Sequence, residues 1–424
     1  MNIKSNPILV FTLILIISML ACNTPVAPKV TLTPPSGSGP GTVTLTNTSP
    51  ILPPPAIATL RVAYVKADNI WLWTEGSLPS QMTTAGGASA PDLSGDGLEI
   101  AFLRNGEMWV VNSDGSGERN LVSTSFLAGL ESGGNSVVIN NHVWQPGSHV
   151  IYFNTLVIAA EVGYHIPQLD LYRSNADVGS DSVDTLEVAG SGGIPYFSPD
   201  GTKMALAQPD KIIFRDVAGG GRTIALTFPM VMTYSEWSYI PELTWSLDGS
   251  GVRVIVPAAD PLGDPAAVTT VWNIPITGSA TQLDTFVAIP GYASTPELSP
   301  DGSKALYLAE MGGNNYIHVR VLGGLDTSFT MGDPGQIGIG PWSPDSSRFI
   351  YWYPNKSTTY FGELGIPSSN VSDTSSNASH VTWIDASRVI FIGDSGDLRV
   401  RSFGSSSSLI DTGVTEFDAG RWVH

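Results

Sequence analysis

"PYFSPDGTKMALA", from Pro195 to Ala207, and "PELSPDGSKALYL", from Pro296 to Leu308, are two near-copies of one phrase. An apolar or aromatic residue leads into a polar Ser-Pro-Asp-Gly turn, and a β-rich triplet follows. The triplets of these copies lie in "KMALA" (Lys203–Ala207) and "KALYL" (Lys304–Leu308). Six more degenerate copies bring the number to eight: "RVAYV" (Arg61–Val65), "EIAFL" (Glu99–Leu103), "HVIYF" (His149–Phe153), "VRVIV" (Val252–Val256), "RFIYW" (Arg348–Trp352) and "RVIFI" (Arg388–Ile392). Their mean spacing is about 47 residues, inside the range of roughly 40 to 50 expected of a four-stranded propeller blade. A period of this kind means one supersecondary unit copied around a ring.

After each triplet a short polar gap leads to a second alternating run, such as "NIWLW" from Asn69, "EMWVV" from Glu107 or "KIIFR" from Lys211. A third run often closes the unit, as in "RTIALTF" at Arg222–Phe228. Such runs, rich in β-branched and aromatic residues and bounded by Gly, Pro, Asn, Asp and Ser, fit strands. The fold expected is therefore all-β, a propeller of eight four-stranded blades, with seven as the alternative if a terminal unit is irregular. The turns have a mechanical reading. Proline presets φ, Asp hydrogen-bonds the backbone just beyond it, and Gly supplies positive φ without a steric cost.

The residues leading into the turns are Leu93, Trp144, Phe197, Trp245, Leu298, Trp342 and Trp383, which is seven for eight triplets. No leading strand precedes the first triplet, only a Pro-rich stretch ending at Ala58. The missing member is Trp422, within "AGRWVH" at the far end of the chain. This predicts that the C-terminal strand joins the first blade and closes the ring, leaving no long open sheet edge. Removal of Arg421 to His424 is then expected to open it.

The phrases "FSPDGTKMALA" and "LSGDGLEIAFLRNGEMWVVNSDGSGERNLV" resemble the WD-type propeller repeats of the TolB family. The resemblance runs over residues 60–424 and implies a propeller in an extracytoplasmic setting. TolB itself has six blades behind a separate N-terminal domain, and neither feature is read here, so its partners are not carried over.

Residues 1–22 read as a targeting segment. Lys4 supplies a positive start and Ile8 to Leu20 an apolar run too short for a comfortable membrane span. "MLAC" at Met19–Cys22 resembles a bacterial lipobox, which implies lipid attachment at Cys22, the only cysteine of the chain. An unpaired thiol in an exported protein calls for such an explanation. From Asn23 to Ala58 the chain is rich in Pro, Thr, Ser and Gly and lacks apolar periodicity, as a tether would. Residues 59–424 form the propeller domain. The expected location is the cell envelope, outside the cytoplasm, touching a membrane only through the lipidated N-terminus.

Lys and Arg number 20 against 38 Asp and Glu, a net charge of −18 that becomes −19 without Lys4. This acidic balance argues against nucleic acid and anionic lipid surfaces. The chain contains no G-x-S-x-G elbow, no H-E-x-x-H and no paired-Cys spacing. "DLSGDG" at Asp92–Gly97 imitates the start of a calcium loop, but its twelfth position is Leu103 where a bidentate Glu is needed. Neither a catalytic residue nor a cofactor is expected.

Three groups of residues stand out as candidates. Asp92, Glu297 and Arg421 each precede a leading-strand residue, and His142 and His380 lie near the start of leading strands. Leading strands line a propeller's axis, so Asp92, Glu297, His142 and His380 are expected to face the water-filled channel. Arg421, Trp422 and Asp92 are expected to latch the ring through an Arg421–Asp92 pair. The longest connections are Ser123–His142 and Phe228–Leu243. The second carries Met230, Met232, Tyr234, Glu236, Trp237 and Tyr239, a composition suited to recognition of a protein or a glycan. The function expected is that of a monomeric, non-enzymatic envelope scaffold binding an unidentified envelope protein or glycan. The alternative is a polysaccharide lyase or hydrolase working in the channel.

Overall fold

A computed structural model describes residues 59–423, except 132, 162, 180–181, 236, 262, 265–266, 289–294, 312–313, 330–336, 354–358, 364–378, 394, 404 and 419–420. Cys22 and the proposed tether lie outside the described residues, as does Glu236. The chain forms eight antiparallel sheets arranged as propeller blades. Blade 1 holds Thr59–Lys66, Asn69–Thr74 and Ser80–Gln81, and its innermost position is filled by Val414–Phe417 and Arg421–Val423 from the other end of the chain. The innermost strands of blades 2 to 8 are Ala88–Leu93, Ser136–Trp144, Ile194–Phe197, Leu243–Trp245, Glu297–Leu298, Gly338–Trp342 and Ser379–Trp383. Blade 7 shows three strands among the described residues.

The expected turn chemistry is present at the tips of most hairpins that follow an innermost strand, whereas blade 3 turns on Gln145–Ser148 without an aspartate. Asp200 Oδ1 accepts from Ser198 Oγ at 2.6 Å and from the Thr202 amide at 3.1 Å, while Ser198 Oγ accepts from the Lys203 amide at 3.0 Å. Asp301 repeats this with Ser299 at 2.5 Å and the Ser303 amide at 2.9 Å. Asp345 does so with Ser343 and Ser347, and Asp96 with Ser94 and Leu98. These aspartates are turn-builders. The short side chain two residues beyond the serine ties off backbone groups that a tight turn leaves unpaired.

Each triplet is apolar throughout because both faces of a blade are buried. Successive side chains point to opposite faces, and in blade 4 Met204 and Leu206 pack toward blade 3 whereas Ala205 and Ala207 pack toward blade 5. In blade 1, Val62 and Tyr64 meet blade 8 while Ala63 and Val65 meet blade 2. Among the described residues the hydrophobic core accordingly consists of eight clusters, one for each of the eight interfaces between neighbouring blades. Each fully buried Leu, Ile, Val or Phe contributes about 1.5–3 kcal/mol, so stability is spread around the ring.

Tryptophans of the leading column fasten these interfaces. Trp144 Nε1 donates to the Asp92 carbonyl at 3.0 Å, Trp245 to the Tyr196 carbonyl at 3.0 Å and Trp383 to the Pro341 carbonyl at 2.9 Å, in each case on the innermost strand of the preceding blade.

Closure follows the expected path. Trp422 stands opposite Leu60 and Arg421 opposite Arg61, and Phe417 opposite Tyr64, so one strand of blade 1 holds two short C-terminal strands. The Arg421 side chain of the expected latch is outside the described residues. The described fastening uses other carboxylates. Asp418 Oδ1 accepts from the Ala63 amide and Oδ2 from the Leu93 amide, both at 3.2 Å, and Glu416 Oε2 accepts from the Ala90 amide at 2.8 Å. One C-terminal segment thereby holds blades 1 and 2 together.

Candidate functional site

In a four-stranded meander the connections alternate between the two ends of the blade. The Ser-x-Asp turns lie at one end. The connections from one blade to the next, and the hairpins between second and third strands, lie at the other. The longest connections therefore share one face of the propeller, at the mouth of the channel that the innermost strands surround.

The segment between blades 4 and 5 runs from Thr227 at the rim to Leu243 at the axis. Its first part presents Met230, Met232, Tyr234 and Trp237 to solvent, with 55%, 51%, 60% and 42% exposure. This part has a built conformation. The Met232 amide donates to the Ala259 carbonyl at 2.8 Å, Tyr234 Oη donates to Asp260 Oδ1 at 2.9 Å, and Thr233 Oγ1 donates to the Trp237 carbonyl at 2.7 Å. Tyr234 has φ of 55°, uncommon for a residue other than glycine, and it lies among these bonds. Tyr239 departs from the sequence expectation. It is buried at 8% exposure, because the segment has by then turned inward to the start of blade 5.

Inside the ring the segment delivers Glu242, which joins Tyr239, Tyr196 of blade 4 and Glu297 of blade 6. Water reaches Glu242, yet protein surrounds it, and this loss of bulk solvent pushes its carboxyl up to about 7. Burial, reinforced by the charge of Glu242, raises the Glu297 carboxyl well above its usual range. The same two causes raise the Tyr239 phenol, and burial with both Glu242 and Tyr239 raises that of Tyr196. Two carboxyls and two phenols, each shifted toward its protonated form, thus meet in this part of the ring. Glu297 was legible as a charge one place before a leading residue. Glu242 was missed because it stands three places before Trp245, a column that also contains His380.

A second group gathers near the closure. Burial lowers the His142 imidazole, against the opposing charges of Asp92 and Glu416 and a hydrogen bond with the Ala90 backbone. Burial likewise lowers His380, opposed by Glu416. Two of the four expected channel residues, His142 and His380, are thus linked through one carboxylate, Glu416, that sequence reasoning did not single out. Asp92 is buried, with 5% exposure, and differs from the wetted charge expected. A bulge between Ser89 and Asp92, with Ala90 at φ of 48°, re-aims this stretch of strand. His380 sits in a corresponding bulge, at φ of 52°.

The connection Ser123–His142 is only partly exposed. It forms a short helix, Thr124–Ala128, whose cap Ser123 accepts from the Phe126 amide, followed by the long innermost strand of blade 3. Phe126 packs edge-on against Phe153 and Tyr172, and Leu127 is buried with them. This insertion covers the interface between blades 2 and 3.

No protein-family model matches the chain, and no curated protein matches it. Among solved structures, the eukaryotic initiation factor is similar with a TM-score of 0.54 and 12% identity, over 84% of this chain and 85% of that one. TolB from Acinetobacter baumannii is similar at a TM-score of 0.32 and 12% identity, over 69% and 72% of the two chains. Porphyromonas gingivalis dipeptidyl peptidase 4 is similar at 0.46 and 11%, over 72% of this chain and 48% of that one. At these identities a likeness speaks of fold alone, and only the first is strong enough to do that.

Proposed function

We propose that this protein is a non-enzymatic binding lipoprotein of the bacterial cell envelope, anchored through Cys22 and held off the membrane by residues 23–58, with a TolB-like, WD-type propeller recognising a protein partner. The observation that carries the reading is the structured display of Met230, Met232, Tyr234 and Trp237 on the long-loop face. Tyrosine and tryptophan are enriched among residues that dominate binding energy, and methionine suits adaptable protein surfaces. A net charge of −19 without Lys4 disfavours nucleic acid and favours a basic partner. The propeller acts as a monomer in this reading, and a glycan is the other ligand that exposed aromatics accommodate.

The test is in-cell cross-linking followed by capture of the wild type and a Tyr234→Ala/Trp237→Ala double variant. Loss of one partner from the variant, with an unchanged circular dichroism spectrum, is the expected result. A partner captured equally by both would remove this loop from the binding face. Cys22→Ser is expected to shift the protein from the membrane fraction to the soluble one.

A second reading rests on Glu242 and Glu297. A carboxyl that holds its proton toward neutral pH is the kind of group that general acid catalysis on a polysaccharide uses. Cleavage of envelope polysaccharide that disappears in Glu242→Gln would favour an enzyme, and no cleavage by the wild type would exclude that substrate class.

A further inference from the structure

On the opposite face, between blades 2 and 3, the imidazole of His149 is ringed by carboxylates. Its Nδ1 lies 3.0 Å from Asp177 Oδ1 and 3.7 Å from Glu99 Oε2, and its Nε2 lies 2.9 Å from Asp96 Oδ2. Glu99 comes from the start of the triplet strand of blade 2 and Asp96 from the turn before it. His149 comes from the equivalent turn of blade 3, and Asp177 from the turn between that blade's third and outer strands.

Two features set this apart from a surface cluster of charges. Glu99 is 6% exposed, and its Oε2 has no hydrogen-bond partner although it is buried and points at His149. A buried carboxylate oxygen without a donor demands an explanation. Its other oxygen, Oε1, is held by Arg119, which fixes the carboxylate with Oε2 turned to the cluster. In addition, three potential ligand atoms are close enough to share one ion. Glu99, His149 and Asp177 each offer one ligand atom, and these lie within 4.8 Å of one another. Around a tetrahedral zinc with ligand bonds of about 2.0–2.1 Å, ligand atoms stand about 3.3–3.4 Å apart, between the two distances measured from Nδ1.

We propose that His149 Nδ1, Glu99 Oε2 and Asp177 Oδ1 bind a divalent first-row cation, with zinc the best fit. The ion displaces the Nδ1 proton. It gives Glu99 Oε2, which has the His149 ring at 3.7 Å but no hydrogen bond, a direct ligand contact. Asp96 accepts from Nε2–H of the same ring, an outer carboxylate that fixes the tautomer and orientation of a ligating histidine, and Arg119 does the equivalent for Glu99. Asp177 is on the solvent side, its side chain 63% exposed, which leaves a fourth position open to water. One ion would then join the turns of two blades and strengthen their interface.

The experiment is calorimetric titration of the full chain, stripped with a chelator, with zinc chloride. One equivalent is expected to bind, and Asp177→Asn and His149→Gln are each expected to weaken binding at least tenfold, with His165→Gln as a control that titrates like the wild type. The exposed Asp177 makes its variant safe for folding. Cobalt added to the wild type is expected to develop the visible bands of a four- or five-coordinate ion. Absence of saturable binding at one equivalent, variants that bind as tightly as the wild type, or a cobalt spectrum identical to the aqueous ion would each overturn the site.

Discussion

Glu242 shows how a single residue departs from what its neighbours in sequence suggest. It is one of 38 acidic residues, and nothing in "YIPEL" distinguishes it from a surface glutamate. In the folded ring it holds its proton to about pH 7, whereas an unfolded glutamate releases its own near 4.5. Between those values the folded state binds more protons than the unfolded state, so stability falls as pH rises across that window. Glu297 acts in the same direction. Replacing Glu242 by Gln removes its part of the fall. Urea midpoints measured at about pH 5 and about pH 7.5 are expected to lie closer together in Glu242→Gln than in the wild type. An unchanged difference would show that the channel leaves this carboxyl at its ordinary value. The turn aspartates lie at the other extreme of legibility. Asp200, Asp301 and Asp345 do what Ser-x-Asp followed by a small residue implies, because their side chains bond residues within a few positions.

At the level of strands, the continuous apolar triplets announce burial on both faces, and the period of two then assigns alternate residues to alternate neighbours. The leading tryptophans add a directional fastening. Trp144→Phe keeps most of the ring's packing and removes the indole hydrogen bond to the Asp92 carbonyl. The expected cost is about 0.5–1.5 kcal/mol, the net worth of one such hydrogen bond, read as a lower urea midpoint at constant slope. A midpoint equal to the wild type would mean that the indole contributes by packing alone. The insertion Ser123–His142 was open to misreading for a physical reason. Its Phe126 and Leu127 carry no local sign of burial, because only the groove between blades 2 and 3 supplies the aromatic wall they cover.

For the whole ring, closure depends on two short strands rather than one. The strand containing Trp422 was readable as the missing member of a column, but Val414–Phe417 also pairs with the first blade, and Asp418 spans to the second. Deleting Arg421 to His424 is therefore expected to weaken the domain while leaving it folded, whereas deletion from Val414 onward opens the ring. Asp418→Ala loses two charge-assisted hydrogen bonds and is expected to cost about 3 kcal/mol. Thermal unfolding of the three variants checks the order, and a domain that melts unchanged without Val414–His424 would contradict closure by this segment.

What the sequence alone determined is the repeating architecture: the eight units, the turn chemistry, the two-faced triplets and the C-terminal origin of the first blade's inner strand. Each of these is written in local periodicity, where residue type and spacing act within one hairpin or recur at a fixed interval. Only the tertiary structure decided which residues meet across blades. Glu242 with Glu297, His142 with Glu416, and Glu99 with His149 are all brought together by ring geometry from distant parts of the chain. A period states that blades are neighbours, but bulges, register and the path of each connection set which side chain enters the channel and which is buried in its wall.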